Sequence, residues 1–250
     1  MNEEYMKQVL PILKEVFDSY GVVFWLDFGT LLGAYREHGF IPGDTDVDLG
    51  VYYEQLNKLI DALRELRKHI EFVVEPLSFR VGIVRLTFAE GCGVDIGVWR
   101  SRNGKFIELF QYWERPLSIL GHVIIVCRHF LCSDLALVKN RLDVFQRVCH
   151  GFLPKLPLKI RKFLDNLLGR LDVGYGYWLE FTPKRFFNQL RYLKFFGLNY
   201  LVPDDFIGYL TYNYGPDFMT PNPAFHWETD QKSDMWLVNG KSSFLYEGFF

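Results

Sequence analysis

No apolar run in this 250-residue chain approaches the roughly 20 residues that a membrane-spanning helix requires. The longest, Ile119 to Val126, is interrupted by His122. Cysteine is scarce. Cys92, Cys127, Cys132 and Cys149 are too few for a disulfide scaffold and fit reduced thiols in a cytoplasmic protein. A zinc site from Cys127, Cys132 and Cys149 with His129 or His150 would need an unusual C-x₄-C spacing, and small buried thiols are the plainer reading. The opening MNEEYMKQVL carries acids where a signal peptide needs bases, so the expectation is a chain without a cleaved leader. Neither an internal repeat nor a low-complexity segment is visible. Positive charge is not in excess either: the formal net charge is −2, which argues against the chain as a whole binding nucleic acid.

Present instead are globular proportions, 49% apolar and 23% charged, in a 29.5 kDa chain large enough for one domain, or one with a small appendage. Aromatics reach 18%, with 24 Phe, which implies a thick core or a greasy contact surface. Charge is unevenly spread. Residues 151–200 hold nine Lys/Arg against three Asp/Glu, a local excess of six positive charges.

The chain is organised around Trp25 to Val51, WLDFGTLLGAYREHGFIPGDTDVDLGV. Val22 to Leu26 is β-branched and aromatic, as a buried strand requires. Gly29 permits a close turn, and Thr30 is positioned to cap a helix with Leu31, Leu32, Ala34 and Tyr35 on its apolar face. Gly39 ends that helix and Pro42-Gly43 makes the next turn. In the strand that follows, alternate side chains share a face, so Asp46 and Asp48 project together with about 7 Å between their Cα atoms.

Two carboxylates that close repel each other, and burying them is costly unless a cation lies between them. A hard divalent ion, Mg²⁺ or Mn²⁺, suits such oxygen ligands and leaves positions for water and phosphate. The Gly29-Thr30 turn opening a helix offers backbone N–H groups to a phosphate nearby. Together these make a phosphoryl-transfer layout. The plain alternative is an acidic turn on a solvated strand edge. The short apolar strand Val94 to Trp99 carries one acid, Asp95, which must find a partner: the same metal, with Asp95 adjacent to Asp46 and Asp48 in the sheet, or a cap or salt bridge at a strand end. Asp44, in the preceding turn, has three readings: metal ligand, orienter of Asp46, or turn former.

Elsewhere, helical spacing predicts helices over Glu4 to Tyr20 (with Pro11 implying a kink or a later start), Glu54 to His69, Asp134 to Val148, Leu156 to Leu171, Pro183 to Phe196 and Asp204 to Tyr212. Strands are expected over Glu71 to Glu75 and Val81 to Phe88, with Phe106 to Tyr112 and Val123 to Val126 as further candidates. An irregular tail is expected after Tyr214-Gly215-Pro216. Lys184, Arg185, Arg191 and Lys194 interleave with Phe186, Phe187, Leu190 and Tyr192. Bases beside aromatics suit a membrane surface or a phosphate-bearing acceptor, and equally a core face backed by a solvated one.

The stretch Gly29 to Gly50 resembles the signature of the LicD/fukutin-related family of nucleotidyltransferase-fold phosphotransferases, approximately GTLLGxxRxxGxIPWDxDxDhG with h apolar. Tyr209 to Pro223, YLTYNYGPDFMTPNP, is similar to that family's closing YG…P segment. Gly43 departs from the pattern, where Trp is frequent. The resemblance implies an α+β fold with a nucleotidyltransferase-like core over residues 1–130, and the helical spacing beyond it adds a mostly helical region over 131–250, packed on that core. The resemblance maps the Gly-Thr turn to Gly29 and Thr30, the acid pair to Asp46 and Asp48 and the third acid to Asp95. The helix arginine maps to Arg36, whose guanidinium fork would suit a donor phosphate. The activity it implies is transfer of phosphocholine or a phospho-alditol from a CDP-linked donor to a hydroxyl of a glycan or glycolipid, releasing CMP. Catalysis and metal binding would then rest on Asp46, Asp48 and Asp95, with Gly29, Thr30, Arg36 and Asp44 on the substrate. The implied setting is cytoplasmic, at the inner membrane face if residues 155–194 dock there. The alternatives are nucleotidyl transfer, releasing pyrophosphate, and a non-catalytic glycan- or nucleotide-binding module.

Overall fold

In the computed structural model, residues 2–74, 83–102, 105–112, 123–124, 127, 148–149, 151–169, 176–222, 224 and 234–239 are described. The predicted helix over Asp134 to Val148 and the thiol Cys132 fall largely or wholly outside them.

Helix α1 (Glu3–Ser19) starts where the Asn2 side chain accepts the Tyr5 N–H, and Glu3 and Glu4 complement its first-turn dipole. It runs through Pro11 from Glu3 onward, so the chain neither starts the helix late nor breaks it at the proline. Met6, Val9, Leu10, Leu13, Val16 and Phe17 form its buried stripe, and it packs on α3 (Leu56–Leu66), which buries Leu56, Leu59, Ala62, Leu63 and Leu66.

These two helices lie with β1 (Phe24–Leu26), α2 (Phe28–Arg36), β2 (Asp46–Tyr52), β3 (Val73–Val74), β4 (Ile83–Thr87) and β5 (Gly93–Arg102) in the first part of the chain. There follow β6 (Lys105–Tyr112), α4 (Leu158–Gly169), β7 (Gly176–Pro183), β8 (Leu190–Phe195), β9 (Leu198–Pro203), α5 (Phe206–Tyr214) and β10 (Asp234–Asn239). Seven strands form a mixed sheet in the order β3-β4-β5-β2-β1-β9-β8. Strand β2 is antiparallel to β1 and parallel to β5, while β1 is parallel to β9. The far end of β5, Arg100 to Arg102, leaves this sheet and pairs with β6, which continues through β7 to β10. The α+β class expected from the sequence is the one adopted.

Three local expectations are corrected. Residues 183–196 are not a helix: a 3₁₀ turn, Lys184–Phe187, leads into β8, which pairs antiparallel with β9. The two are joined by Phe196-Gly197, both at positive φ (44° and 82°), the geometry of a two-residue hairpin turn. The tail is not wholly irregular, since β10 pairs along β7. The cap of α2 is Asp27 rather than Thr30.

The aromatic richness is spent on the core beneath β1, β2 and β5. Trp25 and Trp99 are fully buried, with ring centroids 6.5 Å apart. Phe187 lies 5.3 Å from Trp25 and 5.1 Å from Trp99, and Tyr209 of α5 lies 5.3 Å from Phe187. Gly50 sits opposite Trp25 across β1 and β2, and a methyl group there would occupy the space of the indole. A large buried indole thus takes the room that a side chain on β2 would have used.

Candidate active site

The acids gather where β1 ends and β2 and β5 begin. In the parallel register Asp48 stands directly beside Asp95, and Asp46 beside Gly93. A Cβ on Gly93 would come within 3.3 Å of the Asp46 side chain. The period-two reading of β2 is what sets Asp46 and Asp48 on one face, and the β2–β5 pairing adds Asp95 to it.

The turn between β1 and α2 closes over this face. Phe28 adopts φ +32°, unusual for a residue with a side chain. It is held there by the Asp27 carboxylate, which accepts its N–H at 3.1 Å, and by its ring lying 5.9 Å from that of Trp99. Gly29, next in sequence, donates its N–H to Asp48 Oδ2 at 3.0 Å, and the Asp48 N–H is in turn donated to Thr30 Oγ1 at 2.8 Å. A Cβ on Gly29 would stand 3.0 Å from Asp44 Oδ2 and 3.2 Å from Asp48 Oδ2. The Gly29 N–H and the Thr30 hydroxyl thus both engage Asp48, and Thr30 is buried.

Electrostatics follow from crowding. Burial, then the neighbouring Asp95 and Asp44, push the Asp46 carboxyl up to about 6, against an opposing pull from Arg85. Burial, followed by Asp46, Asp95, Asp44 and Asp27, holds Asp48 well above the usual carboxylate range. Burial also raises Asp44, whose Oδ1 accepts the Thr45 N–H at 2.9 Å. Asp44 thus shapes its turn and faces the cluster at once.

Arg85, on β4, was not singled out in the sequence, yet its Nε donates to Asp95 Oδ1 at 2.6 Å and its Nη2 to Asp95 Oδ2. The same Nη2 lies 3.5 Å from Asp46 Oδ2. Asp95 is thus salt-bridged to Arg85 while standing beside the pair. Arg36 is also committed: Nε donates to Glu37 Oε1 at 2.7 Å and Nη1 to the Phe218 carbonyl at 2.8 Å. Its fork fastens the segment after α5 to the end of α2.

Asp27 was likewise passed over. Fully buried, it accepts from Tyr209 Oη at 2.6 Å and from Trp99 Nε1 at 2.9 Å as well as from Phe28 N. Burial pushes its carboxyl up to about 6, and these donors pull the other way. Its signal was available, since an acid between a buried strand and a helix is the preferred cap.

The crowded oxygens of Asp46 and Asp48 fit a hard divalent cation, whose charge would relieve the repulsion that raises both. Asp95 as arranged is engaged through both oxygens by Arg85, and among the described residues no three acidic, His or Cys side chains stand ready as a metal cage.

A family model described as LicD/FKTN/FKRP, nucleotidyltransferase domain, matches residues 21–125. The chain is 26% identical over 247 residues to the lipopolysaccharide cholinephosphotransferase LicD of Haemophilus influenzae, covering 90% of this chain and 91% of that one. It is 44% identical over 48 residues to the ribitol-5-phosphate transferase FKTN of Mus musculus, 19% of this chain and 10% of that protein. It is 51% identical over 41 residues to the ribitol 5-phosphate transferase FKRP of Mus musculus, 16% of this chain and 8% of that protein. The matched part is thus about a tenth of each of the two ribitol-phosphate transferases.

Proposed function

We infer, on the premise that residues 21–125 are a nucleotidyltransferase domain of the LicD/FKTN/FKRP family, that the acidic site passes a phosphorus-linked alcohol from an activated donor to a glycan hydroxyl. The chain is a LicD-like transferase. In the full proposal the donor is a CDP-linked alcohol, carrying phosphocholine or a phospho-alditol, and the acceptor is a glycan or glycolipid. The observation that supports this reading is the β2–β5 register, which sets Asp48 beside Asp95 with Asp46 on the same face. The similar proteins, a cholinephosphotransferase and two ribitol-phosphate transferases, agree in the class of group moved.

Asp46 and Asp48 would hold Mg²⁺ or Mn²⁺, which when bound would offset charge on the transferring phosphoryl oxygens. Gly29 N–H fixes one oxygen of Asp48, and Thr30 fixes its backbone. The acceptor oxygen bonds to the distal phosphorus as the bond from that phosphorus to CMP breaks, and CMP leaves with the bonding pair. The hydroxyl proton passes to a carboxylate of the cluster. Arg85 holds Asp95 at the edge of the site and adds a positive charge there.

Incubation with CDP-choline, CDP-ribitol or CDP-glycerol, a glycan acceptor and Mg²⁺ should release CMP. Pyrophosphate released from a nucleoside triphosphate, without CMP from any of the three donors, would replace this reading by nucleotidyl transfer.

A further inference from the structure

Helix α4 is built the wrong way round for a globular protein. Its apolar residues Ile160, Phe163 and Leu167 fall at spacings of three and four, so they share one face, and that face is turned to solvent. Phe163 is 65% exposed, Leu167 48% and Ile160 46%, and Phe152, shortly before the helix, is 62% exposed. Leu164 and Leu168, half-buried, widen the same arc. Among the described elements none packs extensively on α4. A helix of 12 residues is too short to cross a bilayer, and among the described residues no helix is long and apolar enough to do so.

Charge marks the occupant. Between Leu153 and Gly169 the chain has four bases, Lys155, Lys159, Arg161 and Lys162, against the single acid Asp165. Lys155 and Lys159 are exposed, and helical spacing puts Lys159 at the border of the arc next to Phe163. An apolar strip edged by lysines matches a surface with an apolar interior and anionic head groups, into which lysine stems can lie along the boundary. A second copy of the chain meeting this face would set the lysines against each other. Two of the basic residues of 184–194 are differently employed: Arg185 lies over the Phe186 ring at 5.0 Å and Arg191 over Phe206 at 5.9 Å.

We propose that α4 and the turn before it seat the protein on an anionic lipid surface, with Ile160, Phe163 and Leu167 entering the acyl boundary and Lys155 and Lys159 meeting lipid phosphates. Docking of this kind does not depend on what the acidic site transfers. It would carry that site to acceptors anchored in the same surface.

The test is co-sedimentation of the full chain with phosphatidylglycerol/phosphatidylcholine vesicles and with phosphatidylcholine vesicles alone. Binding should require phosphatidylglycerol and weaken several-fold between about 0.03 M and about 0.3 M salt, as the screening length shortens. The triple variant Ile160→Ser, Phe163→Ser, Leu167→Ser should lose about tenfold or more of the vesicle affinity, and the single variant Phe163→Ser part of it. Both should keep the wild-type melting temperature, because the replaced side chains are exposed. Lys155→Glu with Lys159→Glu should weaken binding to the anionic vesicles. The proposal is overturned by absence of vesicle binding at low salt, by full binding of the triple variant, or by a concentration-dependent dimer that the triple variant abolishes.

Discussion

Asp27 and Tyr209 stand 182 positions apart in the chain and 2.6 Å apart in the fold, the phenol donating into a carboxylate that solvent does not reach. Through this bond α5 locks the residue that caps α2. The same carboxylate holds Phe28 in its left-handed conformation, which aims the Gly29 N–H at Asp48. The geometry of the acidic site thus depends on a helix encoded near the other end of the chain.

Replacing Tyr209 by Phe removes one donor from a buried carboxylate and should cost about 1–2 kcal/mol at pH 8. The sign of its pH dependence follows from Asp27, whose carboxyl burial raises from 3.8 to about 6. A raised acid binds more protons folded than unfolded, so its ionisation penalises the fold as pH rises through that interval. Loss of the Tyr209 donor raises it further and enlarges the penalty above it. Urea titrations should show a larger destabilisation at pH 8 than at pH 5. An equal cost at both would mean that Asp27 does not titrate in the folded protein.

Asp46→Asn should abolish turnover and leave the melting temperature unchanged or higher in metal-free buffer, because it removes one of the like charges that raise Asp46 and Asp48. Added Mg²⁺ should raise the melting temperature of the wild type and scarcely move that of the variant. Near-normal activity of the variant with Mg²⁺ would remove Asp46 from the site.

Arg85→Gln takes away the cation that engages Asp95 and lies 3.5 Å from Asp46. The guanidinium is nearly half exposed, so screening limits the cost to about 1 kcal/mol. Isothermal titration should show tighter Mg²⁺ binding at pH 8, since a competing positive charge has gone and Asp95 is released toward the pair. Weaker binding would show instead that Arg85 organises the ligands.

Two glycines should part company when each becomes alanine. Gly50→Ala drives a methyl into the fully buried Trp25 ring and should destabilise by about 1–3 kcal/mol in thermal unfolding. Gly29→Ala meets only the carboxylate ends of Asp44 and Asp48, at 3.0 and 3.2 Å. It should keep most of the stability while lowering kcat by about tenfold or more through displaced acids. Equal losses of stability at the two positions would contradict this division.

The β1–α2–β2 stretch was legible because its determinants are local: a buried strand, a glycine turn, and acids at period two on β2. Asp95 was legible as a lone acid in an apolar strand; the partner it needed is Arg85, and the β2–β5 register sets it beside Asp48. Arg85 and Tyr209 were not, because nothing near them in sequence states what they reach. Residues 183–196 misled through spacing. Phe186, Phe187, Leu190 and Leu193 mimic a helical stripe, whereas the hairpin is set by Phe196-Gly197, a turn without the customary Asn or Asp at its first position.

Strand β1 lies between β2 and β9, with Trp25 paired to Leu201 in parallel. During synthesis its inner edge gains a partner early, whereas its outer edge waits until about residue 203 has left the ribosome. Until then the stretch 21–125, most recognisable by its sequence, carries an unpaired strand edge at the middle of its sheet, open to mispairing with other chains. Closure across so long a loop is slow compared with local helix formation. The stretch that the family model matches therefore stops short of the strand that completes the sheet around β1.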